Sequence, residues 1–297
     1  MITAARHSRP QVPPLVVASA RVSAPPYNRD EAQPWPDRDG VARAFAYVRD
    51  GKHWVDVPAL GHFSFGDDAV AVTVIPREDA RQDAVIDYYH RVILPVVLHG
   101  RGWEVLHASG VVTDRGVVAF SADSQTGKST IAYGLSRRGY PLYADDTIPF
   151  TIADQVVETL PAPFYVRLRS PSAAFFGVDS GQRIATGQYA VTPLQSHNES
   201  VPLAAVCILE RGDSLDRGLA VEFDRPAPAE ALFRLQAQAY YNLENDERER
   251  EMIRRYLDLI GRVRIVRVRF RSGLDHVPAL LDGIERAVIG GEPLHGT

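Results

Sequence analysis

Cysteine is almost absent from this chain of 297 residues, which has a single one, Cys207. A disulfide framework within the chain is therefore excluded. Cys207 lies in the apolar run Leu203 to Leu209, so we expect a buried core residue rather than a reactive thiol. Such low cysteine usage fits a reducing compartment, and we expect a cytoplasmic protein.

Long apolar runs are missing as well. The best one, Val92 to Leu98, is much shorter than the ~18 residues that indicate a membrane span, and it contains Pro95. Near the start, Pro10, Pro13 and Pro14 interrupt an apolar stretch that faintly imitates a secretory signal. We therefore expect neither a transmembrane segment nor a signal peptide.

The chain also lacks a strong excess of either charge. Its formal net charge is −4, with 45% hydrophobic and 24% charged residues, as in ordinary globular proteins. This balance gives no reason to expect nucleic acid or an anionic membrane as a partner. The histidines follow neither H-E-x-x-H nor C-x-x-C spacing, so a protein-ligated transition metal is not expected.

The most informative segment that is present reads ADSQTGKS, from Ala122 to Ser129. It matches the phosphate-binding loop pattern G-x-x-x-x-G-K-[ST] at every fixed position except the first. Gly127 would let backbone N–H groups approach phosphates, Lys128 would contact the β- and γ-phosphates of ATP, and Ser129 would coordinate Mg²⁺. Alanine in place of the first glycine would be strained by about 1 kcal/mol if that position needed a positive φ. The expected nucleotide contacts are Ala122, Asp123, Ser124, Gln125, Thr126, Gly127, Lys128, Ser129 and Thr130.

The flanks of this loop match the strand and helix that a phosphate-binding loop requires. Val117 to Phe120 predicts a strand, joined by a turn at Asp114-Arg115-Gly116 to a partner strand at Val111 to Thr113. From Lys128 the pattern predicts a helix that ends near Gly139. The sequence therefore predicts a strand, a loop and a helix in the required order.

A second strand, Tyr140 to Ala144, ends in the acidic pair Asp145-Asp146. One carboxylate there would hold Mg²⁺ and the other would accept the proton of an attacking hydroxyl, although the sequence leaves open which does which. The alternative interpretation is a simple turn after a strand.

These elements together resemble the HPr kinase/phosphorylase family of phosphate-loop kinases and its smaller relatives. The matching features are His107 in a short strand, the loop up to Ser129, Arg137-Arg138-Gly139 at the helix end, and Ala144-Asp145-Asp146. The resemblance implies an α/β fold of the HPr kinase and PEP carboxykinase type, with a mixed β-sheet. It also implies transfer of the γ-phosphoryl group of ATP to a serine hydroxyl, with His107 near the transferred group and the aspartates as base and metal ligand.

The same resemblance leaves the acceptor open. Smaller relatives include members of pathways for ribosomally made peptides, which suggests a hydroxyl-bearing peptide, protein or small molecule. The family's larger members form oligomers, so self-association is plausible here. An alternative of another class is an ATP-binding regulatory or scaffold protein that transfers little or no phosphate.

The organisation of the chain suggests three parts. Residues 1–40 are proline-rich and are expected to be poorly ordered, with one strand near residues 15–22; residues 41–100 read as a β meander followed by a linking helix. The helix, Glu78 to Leu98, should kink near Pro95 and pack against the nucleotide-binding sheet. Residues 101–297 would form the kinase domain.

Three arginine-rich or glycine-rich segments remain. Arg167 and Arg169 share one face of a predicted strand and would contact phosphate or acceptor, or else be solvated. Phe176 to Gly187 reads as a candidate lid. Val263 to Phe270 carries alternate arginines and reads as an edge strand protected by charge, with acidic-ligand binding as the alternative.

Overall fold

The structure is a computed structural model that describes residues 12–18, 22–36, 39–68, 70–162, 165–178, 182–184, 187–193, 195–212, 215, 219–237, 239 and 246–292. Within these ranges the fold is mixed α/β, with two six-stranded and two three-stranded sheets that combine parallel and antiparallel pairs. No helix in this part of the chain is both long enough and apolar enough to cross a bilayer.

The first sheet is built by the N-terminal part of the chain. Its strands are β1 (Leu15–Val17), β2 (Gln33–Pro36), β3 (Ala42–Arg49), β4 (Lys52–Val57), β5 (Gly61–Phe65) and β6 (Val72–Pro76). They lie in the order β1-β6-β5-β4-β3-β2, with only the β1 and β6 pair parallel among these strands. The predicted meander is confirmed as β3 to β6. The proline-rich stretch contributes two strands where the sequence indicated one, and its residues 1–11, 19–21, 37 and 38 lie outside the described residues.

The linking helix runs from residue 82 to residue 100 in three pieces. These are α1 (Gln82–Tyr88), a π-helical turn (Tyr89–Ile93) and α2 (Leu94–Gly100). Just before Pro95, where the sequence predicted a kink, the helix has this π-helical turn, in which Leu94 N–H donates to Tyr89 O. Because proline has no N–H to donate and crowds the preceding turn, the ordinary helical hydrogen-bond pattern is disturbed there.

The packing expected for this helix was wrong. Its buried residues, among them Val85, Tyr89 and Ile93, pack against Phe63 and Val74 of the first sheet and not against the sheet that leads into the loop from Ala122 to Ser129. The short connection between β6 and α1 folds the helix back onto the sheet that it has just left. As a result, polar residues on other faces of the helix are free to point towards the rest of the chain.

The remaining elements follow in chain order. The strands are β7 (Glu104–Leu106), β8 (Ala108–Thr113), β9 (Gly116–Ser121), β10 (Leu142–Ala144), β11 (Ile148–Ala153), β12 (Val156–Thr159), β13 (Val166–Leu168), β14 (Gln182–Arg183), β15 (Tyr189–Val191), β16 (Leu203–Arg211), β17 (Val221–Asp224) and β18 (Arg264–Phe270). The helices are α3 (Lys128–Ser136), α4 (Ser170–Phe175), α5 (Pro228–Gln236), α6 (Asp246–Arg262) and α7 (Val277–Ile284), the last continuing as a π-helical segment (Glu285–Ile289). The small sheets have the orders β12-β11-β7 and β13-β15-β14.

The second six-stranded sheet positions the site. Its order is β10-β8-β9-β16-β18-β17. β16 is parallel to β9 and to β18, and β10 runs in the same direction because both β10 and β9 are antiparallel to β8. The carboxyl ends of β10, β9, β16 and β18 therefore meet at one edge, which we call the carboxyl edge. Apolar clusters cover both faces, with α3 and α7 on one side and α5 and α6 on the other.

The prediction that residues 263–270 form an edge strand was wrong. β18 lies inside the sheet, between β16 and β17, and Val221 to Asp224 takes the outer position. The arginines are ion-paired with their neighbours: Arg267 contacts Asp224 and Glu230, each at 2.8 Å, and Arg269 contacts Glu222 at 2.8 Å. The four-residue strand that covers β18 is too short to give a clear alternation in the sequence.

Candidate active site

The predicted strand, loop and helix are found together. β9 ends at Ser121, and α3 begins at Lys128 with Gly127, φ 125°, immediately before it. The predicted hairpin partner of β9 is β8. After α3, Gly139 has φ 102° and Tyr140 N–H donates to Leu135 O at 3.3 Å, which is the helix ending that the sequence indicated. The loop thus joins the carboxyl end of a buried parallel strand to a helix N-terminus, where phosphate binding is favoured.

The loop does not need the positive φ at Ala122 that would strain an alanine there. Ala122 is buried in the core and has no positive φ. The positive φ falls instead on Gln125, at 72°. A residue with a side chain in this region costs about 1–3 kcal/mol, so surrounding contacts must hold it.

Two arginines supply such contacts. Arg211, at the end of β16, donates from Nη2 to Gln125 O at 2.6 Å and from Nε to Thr126 O at 3.2 Å. Arg169 donates from Nη1 to the side-chain Oε1 of Gln125 at 2.7 Å. Arg169 was among the predicted site residues, whereas Arg211 was missed. The available signal was its place just after the apolar run Leu203 to Leu209.

Lys128 is buried and turned back on its own loop. Its Nζ donates to Ala122 O at 2.8 Å and to Asp123 O at 3.3 Å, and the residue is only 5% exposed. Burial lowers the pKa of Lys128, while the nearby Asp146 and Asp145 act in the opposite direction. The ammonium group therefore lies close to both acidic residues and to the loop.

Asp145 lies at the end of β10 and accepts three hydrogen bonds. Ser109 and Ser129 donate to its Oδ1 at 2.6 and 2.7 Å, and the backbone N–H of Arg167 donates to Oδ2 at 3.0 Å. Burial raises the pKa of Asp145 to about 6, with the neighbouring Asp146 adding to the effect and the serine hydroxyls opposing it. The contact between Ser129 and Asp145 joins the loop to the end of β10, which β8 separates from β9 in the sheet. Ser109, on β8, was missed.

Asp146 faces a cluster of cations. Its backbone has φ 82°, and its Oδ2 accepts from Arg91 Nη2 and, at 3.3 Å, from Arg167 Nη2. Burial raises the pKa of Asp146, whereas Arg91 and Lys128 oppose that rise. Arg91 lies in the π-helical turn of the linking helix and was not predicted from the sequence.

His107 lies between β7 and β8, close to the second aspartate. Its Nδ1 is 3.1 Å from the backbone oxygen of Asp146 and 3.6 Å from Oδ1. Burial, together with the charges of Lys128 and Arg91, lowers the pKa of His107 to about 3. The imidazole is therefore neutral near pH 7 and is a weak base.

Arg167 is not a solvated surface residue. Its side chain is 11% exposed and also contacts both carboxylate oxygens of Asp87 at 3.4 Å. Asp87, like Arg91, comes from the linking helix and additionally accepts from Tyr165 at 2.7 Å. The linking helix is thus tied to the candidate site through two ion pairs.

A cavity of about 820 Å³ opens along the carboxyl edge. This volume is within the range of about 300–1,000 Å³ typical of small-molecule and cofactor sites. Its lining includes Arg91, Ser124 to Ile131, Asp146, Arg167, Arg169 to Ser172, Gly187, Gln188, Arg211, Phe270, Gly273, Leu274, Val277 and Leu280. Of the segment proposed as a lid, residues 179–181, 185 and 186 lie outside the described residues.

The oxygen donors at this edge suit a hard divalent cation. Mg²⁺ prefers oxygen ligands, keeps several waters and usually takes only one or two protein carboxylates together with substrate phosphates. Ser129 Oγ and Asp145 Oδ1 are adjacent donors of this kind. In the part of the chain that the structure describes, no group of three or more His, Cys, Asp or Glu side chains could hold a metal ion. A cation here would therefore depend on phosphate oxygens as further ligands.

Comparison with known proteins gives little beyond this geometry. No family model matches the chain, and no curated protein matches it. Among solved structures, the chain is similar to the HPr(Ser) kinase/phosphatase from Coxiella burnetii, with 15% sequence identity and a TM-score of 0.35. That alignment covers 63% of this chain and 92% of the other. Nothing about the reaction follows from a similarity at this level.

Proposed function

We propose that this protein is an ATP-dependent kinase of the HPr kinase-like, phosphate-loop type. It transfers the γ-phosphoryl group of ATP to a serine-type hydroxyl of a peptide, protein or small molecule in the cytoplasm. The observation that carries the proposal is the contact of 2.7 Å between Ser129 Oγ and Asp145 Oδ1, with Lys128 and Asp146 beside it. The contact supports the proposal because phosphoryl transfer needs a hydroxyl and a carboxylate that can hold Mg²⁺ and an ammonium group near the phosphates.

The surroundings of the two aspartates favour different roles for them. Asp145 accepts a hydrogen bond at 2.7 Å from Ser129, the other expected ligand of Mg²⁺, which suits a second oxygen ligand of the same ion. Asp146 lines the cavity, which suits the group that meets the acceptor. His107 is the weaker candidate for a base because the pKa of its imidazole is lowered to about 3. We therefore assign Asp145 to the metal and Asp146 to the acceptor hydroxyl.

The transfer step follows from these roles. The acceptor hydroxyl gives its proton to an oxygen of Asp146 as its own oxygen bonds to the γ-phosphorus. The bond between the γ-phosphorus and the bridging oxygen breaks, and ADP leaves with that electron pair. Lys128, Arg91 and Arg167 supply positive charge where negative charge spreads over the transferred group. When bound, Mg²⁺ would be held by Ser129 and Asp145 and would neutralise part of the negative charge of the phosphates.

The test compares the two lysines of the chain. Lys128→Ala should lower ATP turnover in the presence of acceptor by about 100-fold or more. Lys52→Ala, at an exposed position on β4, is the matched control and should leave turnover unchanged. Acceptors to be tried are a panel of serine peptides and free serine, with ADP release as the readout and circular dichroism to confirm folding. An ATP turnover in Lys128→Ala equal to that of the wild type would contradict the proposal.

The same assay separates the alternative function. An ATP-binding regulatory or scaffold protein would bind ATP and leave it intact, with no ADP release that depends on any acceptor in the panel. That outcome would favour a binding role over a kinase.

A further inference from the structure

The cavity extends beyond the phosphate-binding loop in a direction set by the sheet. At the carboxyl edge, the end of β10 with Asp146 lies on one side of the loop, and the ends of β16 and β18 lie on the other. Neighbouring strands are ~4.8 Å apart, so the end of β18 lies roughly 10 Å from the end of β9, where the loop begins. In open α/β sheets, ligands bind in such crevices outside the strand ends.

The two ends of the cavity differ in chemistry. Near Asp146 the cavity is lined by Arg91 and Arg167. At the far end, β18 and the segment that follows it contribute Phe270, Gly273, Leu274, Val277 and Leu280, none of which has a polar side chain. Arg211 lies between these ends, with its guanidinium held on the loop carbonyls.

The position of the terminal phosphate fixes which way a nucleotide would lie. Under the proposed function, the γ-phosphate is next to Asp146 and the loop surrounds the β- and γ-phosphates. The α-phosphate and the sugar then extend past Arg211, towards β18. The planar, largely apolar part of the nucleotide arrives at the apolar end of the cavity.

We propose that Phe270, Leu274, Val277 and Leu280 form a purine subsite that holds the base by packing rather than by side-chain hydrogen bonds. This inference rests on the proposed nucleotide site and adds to it a statement about specificity. A hydrophobic pocket discriminates poorly between ligands that differ by a polar group, whereas a pocket with dedicated hydrogen-bonding groups rejects the wrong ligand strongly. The subsite therefore accepts adenine and guanine with similar affinity.

Leu274 is the residue to vary. Phe270, Val277 and Leu280 are at most 7% exposed and belong to the core, so changing them risks the fold. Leu274 is partly buried and packs on the edge of that core. A matched control is Leu232→Ala, a partly buried leucine of α5 that packs against the core on the opposite face of the sheet.

The experiment measures binding by calorimetry, with Mg²⁺ and without acceptor. The ligands are ATP, GTP and inorganic tripolyphosphate, and the proteins are the wild type, Leu274→Ala, Leu274→Met and Leu232→Ala. We expect ATP and GTP to bind within about tenfold of each other and both to bind more tightly than tripolyphosphate. Leu274→Ala should weaken both nucleotides by about tenfold and leave tripolyphosphate binding unchanged, and the volume-conserving Leu274→Met should weaken them less than Leu274→Ala does. The control Leu232→Ala should bind like the wild type.

Three results would overturn the subsite. In the first, Leu274→Ala binds both nucleotides as tightly as the wild type does. In the second, one purine nucleotide binds roughly 100-fold more tightly than the other, which requires hydrogen-bonding groups that read the base. In the third, the wild type binds nucleotides no more tightly than tripolyphosphate. In each case the phosphate-binding loop and the kinase proposal stand. If the wild type binds none of the three ligands, the proposed nucleotide site itself is contradicted.

Discussion

Arg91 Nη2 donates to Oδ2 of Asp146, which joins the linking helix to the acidic pair at the end of β10. The helix packs its apolar face on the first sheet and directs this arginine into the cavity. Arg167 approaches the same carboxylate oxygen from β13. Two guanidinium groups from distant parts of the chain therefore meet at one carboxylate, and the candidate site is complete only when both six-stranded sheets are in place.

We predict that Arg91→Ala lowers the rate of phosphoryl transfer by about 100-fold, because it removes a cation aimed at the developing negative charge. The measurement is kcat for the acceptor that works best in the kinase assay. Arg81→Ala is the control, since Arg81 precedes the same helix and makes only an exposed pair with Asp83. Arg91→Lys keeps the positive charge but lacks the planar guanidinium group, so its kcat should lie between those of Arg91→Ala and the wild type. A rate in Arg91→Ala equal to that of the control would show that the ion pair only holds the helix.

The segment from His107 to Asp146 was largely predictable from the sequence. Gly127, Lys128 and Ser129 stand at fixed spacing, and the strand and helix around them follow from local apolar patterns. The strand, the loop and the helix depend mainly on residues close together in the sequence, and the structure contains all three. The roles assigned to these residues stay predictions until phosphoryl transfer is assayed.

The residues that were missed depend on long-range packing. Arg91, Ser109 and Arg211 carry no motif, and each contacts the site from a different element. The two wrong expectations have the same origin. The spacing of apolar residues along the chain does not show which sheet the linking helix covers or which strand lies outside β18. Both depend on which distant segment packs beside them.

A second prediction concerns the loop at Gln125, whose φ of 72° is held by hydrogen bonds from Arg211. Removing the guanidinium in Arg211→Ala should let the loop relax and raise the KM for ATP by about tenfold, with a smaller change in kcat. Glycine tolerates a positive φ, so adding Gln125→Gly to Arg211→Ala should bring the KM for ATP part of the way back to the wild-type value.

The recovery distinguishes two roles for Arg211. If it acts by positioning the loop, the double variant binds ATP more tightly than Arg211→Ala alone. If it acts only through direct contact with the nucleotide, glycine at position 125 restores nothing, and the positioning role is ruled out.

A third prediction concerns Asp224, which is buried between two arginines of β18. Its carboxylate accepts from Arg267 at 2.8 and 3.1 Å and from Arg269 at 3.2 Å. Asp224→Ala should lower the free energy of unfolding by about 1–3 kcal/mol, because it leaves two partly buried cations without this partner. Asp258→Ala removes an exposed carboxylate paired with Arg262 and should change stability by about 0.5 kcal/mol or less. Equal urea midpoints for the two variants would contradict the structural role of the pair.

The last prediction concerns Cys207, the single cysteine, which lies on β16 in the middle of the second sheet and has no exposed surface. Burial raises the pKa of its thiol to about 12. At pH 8 the thiol is therefore almost entirely protonated and unreactive, and the reagent would also have to enter the core. We therefore expect no labelling by a disulfide-exchange reagent in the folded protein at pH 8, and one thiol per chain in denaturant. Raising the pH towards 9.5 should increase labelling only if it also unfolds the chain, which circular dichroism in the same samples will show. Rapid labelling with the circular dichroism unchanged would mean that the strands around Cys207 open locally, contrary to a closely packed sheet centre.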